Sequence, residues 1–192
     1  MRAFFCLDLD QPTKDKLRAQ IQPLKRLPVD VKWVAPANMH ITMVFLGDVD
    51  DGLVPDLEVA ARQALEETGL DSPIDVTLDR LGAFPHVHKP RVVWAGCTSD
   101  PEPVKRLATS LEQALEPLGF DSEDRPFTTH VTLGRVKERG RSQGLQDLTE
   151  AIESHEPFRY DVEIDRLTLM QSRLGPEGPT YDSVLAIPLG ER

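Results

Sequence analysis

Residues 38–47 read NMHITMVFLG, and the same pattern returns at residues 128–135 as TTHVTLGR. Each copy alternates polar and apolar positions, the period of a strand with one buried face. Side chains two apart on a strand point the same way, so His40 and Thr42 share one face. Ile41 and Met43 then anchor the opposite face in the core. His130 and Thr132 stand in the same relation to Val131 and Leu133. The two motifs lie 90 residues apart, and each presents an imidazole and a hydroxyl together on a rigid element, as a preorganised site requires.

Outward from these motifs, the two halves of the chain repeat one order of elements. In the first half, strands are expected at residues 2–9, 31–34, 39–46 and 74–78. A helix opened by Asp10 and Pro12 carries Leu17, Ile21 and Leu24 as an apolar stripe, and a second at 53–68 is closed by Gly69. In the second half, strands are expected at 91–97, 129–135, 158–169 and 181–189. Val104, Leu107, Leu111 and Leu115 mark a helix over 103–118, closed by Gly119; Leu145, Leu148 and Ile152 mark a shorter one. Residues 171–180, QSRLGPEGPT, read as a loop. The expectation is a single α+β domain over 1–192, built from halves at about 1–80 and 90–192 as two similar lobes.

Composition narrows the function classes. With 40% hydrophobic residues the chain can bury a core. Its 32 acidic against 22 basic residues, net −10, exclude a protein that coats nucleic acid, since that binding needs a positive field to release phosphate counterions. No run of 18 apolar residues is present, and the apolar start meets Asp8 and Asp10 at once, so neither a membrane span nor a signal peptide is expected. Cys6 and Cys97 lie in apolar strand-like stretches and read as buried free thiols of a cytoplasmic protein.

Two His-Thr pairs facing one another suit phosphoryl chemistry better than metal binding. No third ligand stands at matching positions, and threonine is a poor zinc ligand. Histidines on opposite sides of a phosphate can act as general base and general acid. The threonine hydroxyls can donate to non-bridging oxygens. No cofactor and no metal are expected.

The chain resembles the two-histidine phosphoesterase superfamily, and within it the RNA 2′,3′-cyclic phosphodiesterases first named 2′-5′ RNA ligases. The stretches that carry this are RAFFCLDLD, NMHITMVFLGDV, LGAFPHVHKPRVVWAGC, RPFTTHVTLGRVK and LTLMQSRLGPEGPTY. Thr129 departs from the proline expected before the second histidine. The resemblance implies antiparallel sheets facing a central cleft, helices outside, and a pseudo-twofold duplication. It implies hydrolysis of an RNA-terminal 2′,3′-cyclic phosphate to a 2′-phosphomonoester, with 2′-5′ ligation as the reverse sense. Carried over by motif, His130 is the proton acceptor and His40 the proton donor, with Thr42, Thr132 and Arg135 on the phosphate. The partners implied are RNA ending in the cyclic phosphate, tRNA halves among them, or cyclic nucleotides; a monomer is expected.

Other residues rank lower. Arg135 has the strand parity of Leu133, so a twist or bulge at Gly134 is needed to bring it to the phosphate. His86 and His88, with Lys89 and Arg91, are read as a mobile loop on the substrate side rather than as metal ligands. Phe84 and Trp33 are read as core aromatics, and His155 as exposed at a helix end. Residues 135–141 carry four basic and one acidic residue, which suits local engagement of one RNA end by an otherwise acidic protein. The alternatives are the same fold binding a nucleotide without turnover, or a catalyst acting on another cyclic phosphate or RNA end.

Overall fold

The computed structural model describes residues 1–122, 126–137, 142–176 and 178–190, the side chains of 142 and 143 aside. The first half runs β1 (Arg2–Asp8), α1 (Gln11–Leu24), β2 (Val31–Trp33), β3 (His40–Asp48), α2 (Val54–Thr68) and β4 (Ile74–Leu78). The second runs β5 (Arg80–Phe84), β6 (Val92–Gly96), α3 (Glu102–Leu115), β7 (His130–Val136), α4 (Ser142–Glu153), β8 (Tyr160–Ile164), β9 (Arg166–Gly175) and β10 (Gly178–Pro188).

Helix signals in the sequence act as expected. Asp10 caps α1 by accepting from the Thr13 amide at 2.9 Å, and Leu17, Ile21 and Leu24 are buried. Gly69 follows α2 at φ +64°, a left-handed conformation that costs glycine nothing. The α-helix α3 stops at Leu115; Glu116–Leu118 tighten into a 3-10 turn before Gly119.

Among the described residues, eight strands form one antiparallel sheet in the order β10-β9-β1-β3-β7-β6-β5, with β2 paired to β7. The expected α+β class and antiparallel strands are observed. The strands of the two motifs are neighbours, joined through the single pair Ile41–Val131. Strands also cross between the halves: Val31–Trp33 pair with residues of β7, and β9 pairs with β1. On one face, Ile41, Val131 and Leu133 join Leu17, Leu57, Leu107 and Leu111 in the main core. Leu148 and Ile152 of α4 cover Ala83 and Val93 in a smaller cluster. The four α-helices among the described residues therefore contribute to the same side, and the histidines stand on the other. Cys6 and Cys97 are buried free thiols, as expected; desolvation raises both, Cys97 to about 12.

Three expectations change. The strand foreseen over 158–169 breaks at Asp165, because β8 pairs with β4 in a separate two-stranded sheet while β9 joins the main one. The stretch foreseen as a loop at 171–180 is mostly strand, with Gln171 opposite Ala3 and Gly175 opposite Gly178. Its polar composition reflects the exposure of these two paired strands. Strand β5 was not foreseen, since RLGAF at a sheet edge lacks alternation; its Gly82 lies where a Cβ would sit 2.2 Å from the Trp94 ring.

Thr129 enters β7 fully buried and donates its amide to Asp100 Oδ1 at 3.0 Å, a bond proline cannot make. Its hydroxyl has no partner among the described residues. Thr129→Val keeps the shape and removes that orphaned group, so it is expected to raise stability by about 1 kcal/mol. A lower melting temperature in a thermal unfolding experiment refutes this.

Candidate active site

The antiparallel register around Ile41–Val131 places Thr132 opposite His40 and Thr42 opposite His130. The histidines are therefore diagonal neighbours, about 7–8 Å apart at the backbone, which leaves room for a phosphate between the rings. Each imidazole is aimed the same way. His40 Nδ1 lies 2.8 Å from the Asn38 carbonyl, and His130 Nδ1 lies 2.8 Å from the Thr128 carbonyl. A carbonyl only accepts, so both Nδ1 atoms carry hydrogen and Nε2 is the reactive nitrogen of each ring. Thr42 donates its hydroxyl to His40 Nε2 at 3.0 Å.

Aromatic rings hold these imidazoles. Phe4 of β1 stacks under His40 at 4.8 Å between centroids, and Tyr181 of β10 meets it edge-on at 5.4 Å. Trp94 of β6 and Phe84 of β5 flank His130 at 6.3 and 4.9 Å. Phe84 is thus a cleft-wall residue rather than core, because it ends an edge strand beside the cavity. Trp33 packs against the core, over Gly134, where a Cβ would lie 2.8 Å from its ring, and it also lines the cavity on the His40 side. Phe4, Trp94 and Tyr181 escaped sequence reasoning because aromatic residues in strands ordinarily mean core.

A bulge follows each motif. In β7, Thr132 pairs with Trp94 and Gly134 with Val93, leaving Leu133 as the extra residue. In β3, Thr42 pairs with Cys6 and Val44 with Phe5, leaving Met43 extra. Two consecutive side chains then face the core, and the third after the threonine returns to the cleft. That residue is Arg135 in β7 and Phe45 in β3, both exposed. Arg135 therefore shares a face with Thr132, and the bulge sits at Leu133 rather than Gly134. Phe45, 55% exposed, is the matching position that sequence parity hid.

Thr42, Phe45, Thr132 and Arg135 line both of two adjoining cavities of about 390 and 470 Å³. His130, Phe84 and Phe127 belong to the first, His40, Lys32 and Tyr181 to the second. Each is nucleoside-sized rather than water-sized. The β9–β10 hairpin walls the His40 side, and Asn38 donates its amide to the Pro179 carbonyl at 2.7 Å. Desolvation is the largest influence on His40 and lowers its pKa to about 4. The Asn38 carbonyl and the Asp8 carboxylate oppose this. Asp8 lies cross-strand from His40 and is paired to buried Lys14 at 2.7 Å.

The side chains of the remaining described candidates are not among the linings of these two cavities, although Pro85, which precedes His86, is. His86, His88, Lys89 and Arg91 lie exposed on the β5–β6 connection. That connection is tied to α4 by Thr149 donating to the Val87 carbonyl, with His88 3.8 Å from Glu153. His155 is half-buried against Phe158 rather than exposed. Glu138, Arg139, Gly140 and Arg141 of the basic run lie outside the described residues. Among the described residues, no three His, Cys, Asp or Glu side chains group as a metal site would require.

Comparison with known proteins adds a family to this geometry. The 2′-5′ RNA ligase superfamily matches over residues 13–176. The RNA 2′,3′-cyclic phosphodiesterase of Archaeoglobus fulgidus is 35% identical over 181 residues, covering 94% of this chain and 96% of that protein. That of Methanothermobacter thermautotrophicus is 33% identical, covering 94% and 95%. A solved structure from Thermus thermophilus superimposes with a TM-score of 0.75 at 25% identity, covering 99% and 98% of the chains. E. coli LigT complexed with 3′-AMP has the same fold, with TM-score 0.75, 24% identity and the same coverage.

Proposed function

The chain belongs to the 2′-5′ RNA ligase superfamily, and from that premise we propose that it is an RNA 2′,3′-cyclic phosphodiesterase leaving a 2′-phosphomonoester. The observation that carries this reading is the pair of imidazoles, each held at Nδ1 by a backbone carbonyl and set diagonally beside two adjoining cavities that share Thr42, Thr132 and Arg135. A water oxygen attacks phosphorus and gives its proton to His130 Nε2. The P–O3′ bond breaks in line, and O3′ takes a proton from His40 Nε2, leaving a 3′-hydroxyl and the 2′-phosphate. Thr42 turns its hydroxyl from His40 to a non-bridging oxygen, Thr132 holds the other, and the Arg135 guanidinium offsets the growing charge. Protein side chains supply every proton transfer, so no metal or cofactor is required. A 5′-hydroxyl in place of water gives 2′-5′ ligation. The enzyme acts as a cytoplasmic monomer, with tRNA halves among its substrates.

His40 at about 4 is neutral in the empty site at pH 7. An anionic phosphate alongside favours the imidazolium, so substrate binding restores the proton that His40 donates. Expected pH behaviour follows. Protonating both histidines stops the reaction, so kcat/KM falls at low pH with a limb near 4, whichever ring donates. The limb in kcat lies higher, because it reports the complex. An acid limb of kcat/KM at the ordinary imidazole value of about 6.5 contradicts the burial argument.

The deciding experiment incubates the protein with oligoribonucleotides ending in 2′,3′-cyclic phosphate, with and without EDTA, and identifies products by phosphorus NMR. A 2′-phosphomonoester in both samples is expected. A shifted resonance without new product means a binding module. A 3′-phosphate product, or loss of activity in EDTA, overturns the mechanism.

A further inference from the structure

The two cavities beside the reacting position differ in charge. Among the described residues, the lining on the His130 side contains no lysine or arginine except Arg135, which both sides share. The His40 side adds Lys32. Strand β2 places Lys32 directly opposite Arg135 of β7. Cross-strand partners point to the same face with Cβ atoms about 5 Å apart, so Lys32 stands beside Arg135 on the cleft side. Neither side chain meets a carboxylate among the described residues. Arg159, Arg166 and Arg173 all do, and Lys137 of the same basic run reaches Asp30 at 3.2 Å. The Lys32 ammonium is turned away from the histidines toward the hairpin, with Nζ 3.6 Å from where a Cβ on Gly178 would lie. Among the described residues the cleft therefore offers two cations in sequence: Arg135 at the threonines, and Lys32 one strand further out on the His40 side.

We infer that Lys32 holds the phosphate one nucleotide upstream of the cyclic end, so that the substrate is an oligoribonucleotide rather than a free cyclic mononucleotide. This rests on the cyclic phosphodiesterase reading, and in particular on O3′ leaving toward His40. The ribose that owns O3′, and with it the rest of the strand, then lies on the His40 side. There the strand's next phosphate meets a cation with no carboxylate partner among the described residues. Single-stranded RNA is held in this way by cations that track the backbone. The acidic remainder of the protein, net −10 overall, keeps the contact to this one phosphate, so the recognised unit is short.

The test compares adenosine 2′,3′-cyclic phosphate with the dinucleotide ApA ending in the same cyclic phosphate. Wild-type protein is expected to favour the dinucleotide about tenfold in kcat/KM, through KM. Lys32→Ala brings the ratio of the two substrates close to one, and Lys32→Arg preserves it, since either cation binds a phosphate oxygen. Raising salt shrinks the advantage with a slope of about −0.7 in log–log form, the signature of one phosphate contact on a single strand. Lys32 is exposed on a short edge strand, and thermal melting of each variant checks that folding is intact. A wild-type ratio near one overturns the proposal, as does a Lys32→Ala ratio equal to wild type. Failure to hydrolyse either substrate overturns the cyclic phosphodiesterase reading, and this proposal with it.

Discussion

His130→Ala and His40→Ala are each expected to lower turnover of an RNA-terminal 2′,3′-cyclic phosphate by about two orders of magnitude or more. The loss is chemical rather than structural. Both rings are half-buried on the cleft face, while the neighbours that anchor the strands, Ile41 and Val131, are fully buried on the other. Thermal unfolding therefore separates the two causes: a variant that melts like wild type and has lost turnover has lost a proton carrier. The roles separate as well. A diester whose leaving group is a nitrophenolate needs no proton at the departing oxygen. On that substrate His40→Ala is expected to recover most of its activity, and His130→Ala is not. Recovery by His130→Ala instead exchanges donor and acceptor, and full activity of either variant on RNA removes that residue from the mechanism.

Arg135→Ala is expected to cost about a hundredfold in kcat/KM, the scale seen when one preorganised donor to a developing charge is removed. Arg135→Lys falls between, because an ammonium keeps the charge and loses the fork that spans two phosphate oxygens. The guanidinium is exposed and has no carboxylate partner among the described residues, so removing it leaves no buried charge uncompensated. Unchanged thermal stability accompanies the loss. Activity within threefold of wild type shows that the bulge brings Arg135 to the cleft without bringing it to the phosphate.

Local periodicity made much of the fold legible. Leu17, Ile21 and Leu24 are buried where their spacing placed them, and Gly69 and Gly119 take the left-handed conformations expected after helical turns. Misreadings arose where composition stood in for pairing. Within the polar 171–180, residues 171–175 and 178–180 are strand, with Gln171 and Ser172 partnered in β1. His86 and His88 suggested a substrate loop; of that connection Pro85 lines the cavity, while Val87 and His88 meet α4.

What the sequence determined by itself is the content of the site: two histidines and two threonines, each pair on one face of a strand, with apolar residues between them locking that face outward. Strand alternation is a local property, so four side chains could be oriented without knowing their neighbours. Only the tertiary structure brought the two strands together at Ile41–Val131 and inserted Met43 and Leu133 as bulges, which turned Phe45 and Arg135 into the cleft. Bulges are defined by the partner strand's hydrogen bonds, and that partner is distant in sequence. Packing alone likewise set Phe4 and Tyr181 around His40 and lowered its pKa, because desolvation depends on whatever the fold places beside a group.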